Sequence, residues 1–147
     1  MSLSDLTINK ATEHEIYAHL DRCSHIFNPP LNTYVDLKEY SNKISAFATT
    51  FEIWENAYLV SLIAIYMNNL DSKAAFISNV SVEAKFQGLG LASRLLKNVI
   101  EEVSKSGFEK IMLQVRPNNK TAIELYKKFS FELSKIDIDI IEMTKQL

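Results

Sequence analysis

The sequence predicts an α/β fold, a mixed sheet with helices on both faces, and three observations lead to it. Segments with strand character, among them Ala57 to Met67, Ala74 to Val82 and Lys110 to Val115, alternate with amphipathic helical segments. The run Leu59-Val60-Ser61-Leu62-Ile63-Ala64-Ile65 is apolar on both faces of a strand and so belongs inside a sheet. Two of the three glycines in the chain, Gly88 and Gly90, stand between the strand ending at Val82 and a long amphipathic helix.

Taken in order, Leu6 to Asn9 is a short strand candidate, and Thr12 with Glu15 forms a capping box that starts a helix through about Arg22. Asn28-Pro29-Pro30 breaks the chain. Asp36 is placed to cap a second helix that carries Leu37, Tyr40 and Ile44 at helical spacing and ends near Lys43 to Ser45. Ala46 to Trp54 and Ala57 to Met67 read as strands around a tight Glu55-Asn56 turn, and Asn68-Asn69-Leu70-Asp71-Ser72 turns the chain into Ala74 to Val82. After the glycines, Leu91, Ala92, Leu95, Leu96, Val99, Ile100 and Val103 share one stripe. Lys97, Glu101, Glu102 and Lys105 fill the other face, so this helix packs on the sheet and stops at Gly107. Lys110 to Val115 returns as a strand, and Lys120 to Phe129 forms a last helix after Pro117-Asn118-Asn119. In the tail, Phe131 to Leu147, Ile136, Ile138 and Ile140 alternate with Asp137 and Asp139, the pattern of one or two more strands. The expected order is β-α-α-β-β-β-α-β-α-β-β.

The composition bounds the function. With 147 residues, 47% hydrophobic and 23% charged, the chain suits a single domain spanning 1–147 with a proper core. A net charge of −2 argues against a dedicated nucleic-acid binder or a polybasic membrane anchor. One cysteine, Cys23, excludes an intramolecular disulfide. With no signal-peptide pattern and no apolar run near the ~20 residues of a spanning helix, a cytoplasmic protein without a membrane partner is expected.

The segment from Val80 to Leu96 carries the chemistry. Backbone N–H groups at a helix start have no partner inside the helix, and with the helix dipole they attract an anion such as phosphate. Glycines at 88 and 90 let the anion approach without a Cβ in the way.

Two motifs then carry a resemblance. Gln87-Gly88-Leu89-Gly90-Leu91-Ala92 fits the Gln/Arg-x-x-Gly-x-Gly/Ala signature of the GNAT superfamily of N-acetyltransferases, and the strand ending in Val80-Ser81-Val82 precedes it at the proper interval. The segment Asn119 to Phe131 is similar to that superfamily's Asn-x-x-Ala-x-x-x-Tyr-x-x-x-Gly-Phe pattern, and Met143-Thr144-Lys145 resembles its usual last strand. The two motifs cover roughly the C-terminal half.

The resemblance implies a central mixed, mostly antiparallel sheet of six to seven strands flanked by about four helices, and an acyl-CoA site with acetyl-CoA as acyl donor. In such proteins the strand corresponding to Ala74–Val82 bulges away from the one corresponding to Lys110–Val115, and the pantetheine arm lies in the gap. Val80 and Val82 would line that gap, and the Val82 amide would face the thioester carbonyl. The pyrophosphate would sit on the amides of Gln87, Gly88, Leu89, Gly90, Leu91 and Ala92, with the Ser93 hydroxyl as a further donor. Asn119 would hold the pantetheine or cap the last helix. Tyr126 would serve as general acid to the CoA thiolate, although Leu125, Tyr126 and Phe129 also follow the spacing of a packed helix face. No metal is expected at the site.

A general base is not identified from sequence. Glu83, His25, Glu52 and Asp71 are candidates, as is proton loss through water near Tyr66 or Asn79; His14 and His19 read as surface or satisfied groups of the first helix. The acceptor would be a primary amine of a small molecule, met in the N-terminal half, where Phe27, Tyr34, Asp36, Tyr40 and Lys43 are available. Ile63 to Asn69 is weakly similar to superfamily members of surface-polysaccharide biosynthesis, which implies an amino sugar. The expected assembly is a monomer or homodimer. One departure stands out: Ser130 occupies the position of the pattern's glycine, where a left-handed backbone is easy for Gly. Two other readings are a non-catalytic acyl-CoA-binding module and a nucleotide-binding oxidoreductase. Against the second, Ser93 takes the third glycine position of the dinucleotide fingerprint.

Overall fold

In the computed structural model, which describes residues 3–147, the elements follow the expected order. They are β1 (Thr7–Ile8), α1 (Glu13–Cys23), α2 (Leu37–Phe47), β2 (Thr49–Glu55), β3 (Tyr58–Tyr66), β4 (Ala74–Val82), α3 (Leu91–Lys105), β5 (Lys110–Val115), α4 (Lys120–Lys128), β6 (Glu132–Ile136) and β7 (Ile141–Gln146). The strands form one seven-stranded sheet in the order β1-β2-β3-β4-β5-β7-β6. Only β4 and β5 run parallel; the other neighbours are antiparallel. The sheet is therefore mixed and mostly antiparallel, as expected.

Local signals set the helix starts. Thr12 accepts from the Glu15 amide while Glu15 returns a bond to the Thr12 amide, closing the capping box of α1. Asp36 accepts from the amides of Lys38 and Glu39 at the start of α2. Each helix then buries its apolar stripe on one face of the sheet. Ile16 and Leu20 of α1 and Ile44 of α2 pack with Leu59, Leu62 and Ala64 of β3. On the other face, Leu95, Leu96, Val99 and Val103 of α3 pack with Phe51, Ile63, Ile65, Ile77, Ile111 and Leu113. Strand β3 is thus covered on both sides, which its two-faced apolar run predicts. Each fully buried Leu or Ile contributes ~1.5–3 kcal/mol relative to exposure, so these stripes hold the helices in place. Among the described residues no helix is long and apolar enough to cross a membrane.

The structure departs from the sequence reading at several boundaries. Helix α2 continues through Phe47, so Ala46 and Phe47 are helical and not the start of β2. The β2–β3 turn consists of Asn56-Ala57, one residue later than the Glu55-Asn56 signal, because Glu55 still pairs with Tyr58 and Asn56 takes the left-handed conformation (φ 53°). In the tail, the Ile/Asp alternation is not a strand face. The β6–β7 hairpin reverses there: the Asp137 amide donates to the Ile140 carbonyl (2.9 Å), and Ile138 is 91% exposed.

Glu52, considered as a base, is a fully buried structural anchor. Its carboxylate accepts from the Thr7 and Thr50 hydroxyls (both 2.7 Å) and from the amides of Lys10 (3.0 Å) and Ala11 (2.8 Å). It ties β1 and the approach to α1 onto β2.

Ser130, just past α4, has φ 69°. A residue with a Cβ is strained in that conformation by ~1 kcal/mol relative to Gly. Ser130→Gly should accordingly raise the urea unfolding midpoint by the equivalent of about 1 kcal/mol; a lower midpoint would show that the Ser side chain contributes more than the strain it causes.

Candidate active site

The parallel pairing of β4 with β5 is brief. Ala74, Ala75, Phe76 and Ile77 register with Lys110, Ile111, Met112 and Leu113, and there the ladder stops. A bulge falls at the same place, since the β3 partner shifts between Ala64/Asn79 and Ile65/Ile77 and leaves Ser78 as the extra residue. Beyond it β4 pairs only with β3, while Gln114 and Val115 of β5 pair only with β7. The two strands diverge into an open gap.

The phase of the backbone decides what lines this gap. The Glu83 amide donates to the Val60 carbonyl (2.8 Å) in the same register that pairs Val82 with Ser61. Alternation then turns the amides of Ser81 and Asn79 toward β3 and those of Val80 and Val82 toward the gap. Their side chains pack against the core that holds Leu113, Val115 and Tyr126.

From Val82 the chain passes through Glu83 into a short 3₁₀ turn, Ala84–Phe86, anchored by the buried Phe86. The Gln87 amide donates to the Ala84 carbonyl (3.3 Å), and the Gln87 side chain donates back to the Val82 carbonyl (3.3 Å). Gln87 therefore braces the turn, its own amide already engaged. Gly88 (φ 81°) and Gly90 (φ 76°) are both left-handed, and a Cβ built on either would meet no atom within 4 Å. The space in front of this loop is open. Gly90 supplies no side-chain cap to α3, and the first intrahelical bond runs from the Arg94 amide to the Gly90 carbonyl (3.0 Å). The amides of Leu91, Ala92 and Ser93 thus precede the hydrogen-bonded part of the helix, which is the donor set an anion requires. The residues present fit a diphosphate.

On the opposite lip, the Asn119 side chain accepts from the Ala122 amide (3.2 Å) and caps α4. Tyr126 of α4 is buried, its ring tilted 57° to that of Phe131 with centroids 5.8 Å apart. Burial alone pushes its phenol well above the usual range, so it remains protonated at neutral pH.

Of the base candidates, Glu83 is ion-paired with Arg22 (3.3 Å), and His25 and Asp71 are exposed. Among the acceptor-side candidates, Tyr40 of α2 reaches β4. The Tyr40 hydroxyl bonds the Ser78 carbonyl (3.0 Å) and hydroxyl (2.8 Å) at the bulge. Tyr34 is about half exposed, Asp36 is engaged as a cap, and Phe27 packs in the α1/α2 core.

His19 sits at the centre of a buried polar cluster on α1. It is fully buried on α1, with Nδ1 2.9 Å from the Leu59 carbonyl and Nε2 2.8 Å from the Ser81 hydroxyl. A carbonyl only accepts, so Nδ1 carries the proton and Nε2 accepts from Ser81. Cys23 lies beside the ring, its thiol pushed up to about 12 by burial with the Glu83 charge adding, so it is no nucleophile at neutral pH. The signal in sequence is only that His19 and Cys23 are one helical turn apart; the other partners of the His19 ring, Leu59 and Ser81, are 40 and 62 residues away.

Comparison with known proteins places the chain. The model of the acetyltransferase (GNAT) family matches residues 4–131. The chain belongs to the GNAT family. Over 86 residues it is 33% identical to the [ribosomal protein bS18]-alanine N-acetyltransferase of Escherichia coli (strain K12), covering 58% of this chain and 56% of that protein. The match thus spans about half the length of that curated relative. The crystal structure of the ribosomal-protein-S18-alanine N-acetyltransferase from Escherichia coli superposes with a TM-score of 0.77 at 21% identity, over 97% of this chain and 94% of that one. The PaiA N-acetyltransferase from Thermoplasma acidophilum, crystallised in complex with coenzyme A, also gives 0.77, at 12% identity over 98% and 100% of the two chains. The GNAT sheet, antiparallel except at β4–β5, is not the parallel sheet of a dinucleotide fold, so the oxidoreductase reading has no structural support.

In this GNAT chain His19 pins α1 to the sheet next to Val82, and the pin is pH-dependent. Burial, with the Arg22 charge adding and the Leu59 carbonyl opposing, lowers His19 from 6.5 to about 4. Between those values the unfolded chain binds more protons than the folded one. Stability is therefore complete above about pH 6.5 and falls as the pH drops toward 4, by ~3 kcal/mol in all. Urea midpoints of the wild type and His19→Gln across that interval check this: the slope should be shallower in the variant, and parallel profiles would assign the acid sensitivity elsewhere.

Proposed function

We propose that this chain is an acetyl-CoA-dependent N-acetyltransferase that acetylates a primary amine of a small molecule by direct attack. The observation that carries the reading is the gap between β4 and β5, lined by the Val80 and Val82 amides and closed at one end by the uncapped start of α3. The GNAT match over residues 4–131 and the neighbour crystallised with coenzyme A support it.

Acetyl-CoA, when bound, supplies a thioester carbonyl open to an amine nucleophile. The amides of Gly88, Leu89, Gly90, Leu91, Ala92 and Ser93, with the Ser93 hydroxyl, hold the pyrophosphate, and Gln87 braces them through Val82. Val80 and Val82 offer backbone groups to the arm as an edge strand does. The Val82 amide stabilises the oxyanion as the C–N bond forms, an effect worth ~3 kcal/mol for one donor in other enzymes. As the C–S bond breaks, the Tyr126 phenol, which burial keeps protonated, donates a hydrogen bond or its proton to the departing sulfur. Asn119 keeps α4, and with it Tyr126, at the lip. The amine proton leaves through water on the α1/α2 side, since Glu83, Glu52 and the Asp36 cap are already engaged. An amino sugar is one acceptor to try, on the resemblance of Ile63 to Asn69.

Thermal shift and thiol release test the reading together. Acetyl-CoA should raise the melting midpoint where NAD does not, and thiol should be released on adding an amine acceptor. Stabilisation without thiol release over a broad amine panel would leave a non-catalytic acyl-CoA-binding module; no stabilisation by any acyl-CoA would overturn the reading. Tyr126→Phe should lower kcat by about 10²-fold while the KM for acetyl-CoA changes little. An unchanged kcat would remove Tyr126 from the chemistry.

A further inference from the structure

The cations beside the gap on its α1/α2 side point to the class of acceptor, an inference that rests on the N-acetyltransferase reading and deepens it. Arg116 directly follows Val115, the last residue of β5, on the part of the chain beyond the end of the β4–β5 ladder. In β5 the buried Ile111, Leu113 and Val115 belong to the core under α3 and α4 while Met112 and Gln114 alternate with them, and Arg116 reaches Tyr34, a residue of the N-terminal half of the chain. Its guanidinium carbon lies 4.7 Å from the centroid of the Tyr34 ring. The Lys43 ammonium lies 5.5 Å from the centroid of the Tyr66 ring. Tyr34 and Tyr66 both lie near Tyr40, whose hydroxyl is fixed on the bulge residue Ser78.

Neither Arg116 nor Lys43 forms an ion pair among the described residues. The ion pairs among the described residues are Arg22–Glu83 and Lys73–Glu109. Of the acids on the adjoining elements, Asp36 accepts from the Lys38 and Glu39 amides through one carboxylate oxygen, Glu39 is exposed one turn before Lys43 without pairing with it, and Glu142, opposite Gln114, accepts from the Ser134 hydroxyl. Next to the same bulge, the Asn79 side-chain oxygen is buried with no hydrogen-bond partner, in a residue only 5% exposed. The region thus offers a held, planar guanidinium and a second cation for an anion, and a spare acceptor for an N–H. A simple amine would use only the latter. A guanidinium stacked on an aromatic ring has its fork already oriented for two parallel bonds to a carboxylate or phosphate.

We propose that Arg116, held by Tyr34 and assisted by Lys43 on Tyr66, selects acceptors that carry an oxyanion group, a carboxylate or a phosphate, beside the reacting amine. The test is thiol release over matched pairs: amino acids against their amides, and amino sugars against their phosphate esters, with wild type, Arg116→Ala, Arg116→Lys and Lys43→Ala. The charged member of at least one pair should be used about tenfold better in kcat/KM, and the pair showing the preference distinguishes carboxylate from phosphate. Arg116→Ala should raise the KM for the charged member far more than for the neutral one. Arg116→Lys should restore only part of the preference, because an ammonium lacks the fork. The acetyl-CoA thermal shift should survive in all variants. Turnover with no preference for a charged member, or a preference that Arg116→Ala leaves intact, overturns this assignment alone; absence of turnover with every amine overturns it together with the N-acetyltransferase reading.

Discussion

Past the Ile77–Leu113 pair, β4 and β5 share no ladder, and the peptide groups of Val80 and Val82 face the opening between them instead of a neighbouring strand. Interior strands do not ordinarily leave such groups unpaired, since each one shielded from water without a partner costs ~1–3 kcal/mol. The gap persists because the surroundings over-determine it. Strand β4 is fully committed to β3, the bulge at Ser78 fixes its direction, and β5 is fully committed to β7. Leu95, Leu96 and Val99 of α3 pack on the core that Val80, Val82, Leu113 and Val115 share.

The turn, the start of α3 and the cap of α4 are arranged around that divergence. The 3₁₀ turn after Val82 carries the chain across the end of the gap to the uncapped start of α3, and Gln87 locks the turn through the Val82 carbonyl. On the far lip, α4 begins at the Asn119 cap and carries Tyr126 into the core that Val80, Val82, Leu113 and Val115 share. On the α1/α2 face, His19 and Arg22 tie α1 to the Leu59 carbonyl, while His19 also holds Ser81 and Arg22 holds Glu83. The residues on either side of Val82 are thus clamped from the helix that covers them.

Elements written in local signals were legible. The capping box at Thr12, the cap at Asp36, the stripe of α3 and the limits of β4 and β5 all depend on residues within a turn or two of one another, and the structure reproduces them. Boundaries set by pairing were less so. The turn at Asn56-Ala57 follows from the register of Glu55 with Tyr58, and Ile138 is exposed because the β6–β7 hairpin must reverse at that point, whatever the alternation of its residues. Glu52 illustrates the same limit for a candidate site: a lone carboxylate in a strand could have been a base, and only its four donors from β1, β2 and the entry to α1 make it an anchor.

The sequence by itself determined the order of the elements, the donor-rich turn at Gly88 and Gly90, and the family to which the motifs point, because these are properties of contiguous residues and short-range geometry. Tertiary structure alone decided which way the amides of Val80 and Val82 face, that Gln87 braces the turn, and that His19 is a buried pin. It also decided that Arg116 meets Tyr34 across the fold. Each of these depends on strand phase or on contacts between residues far apart in the chain, and no local pattern encodes them.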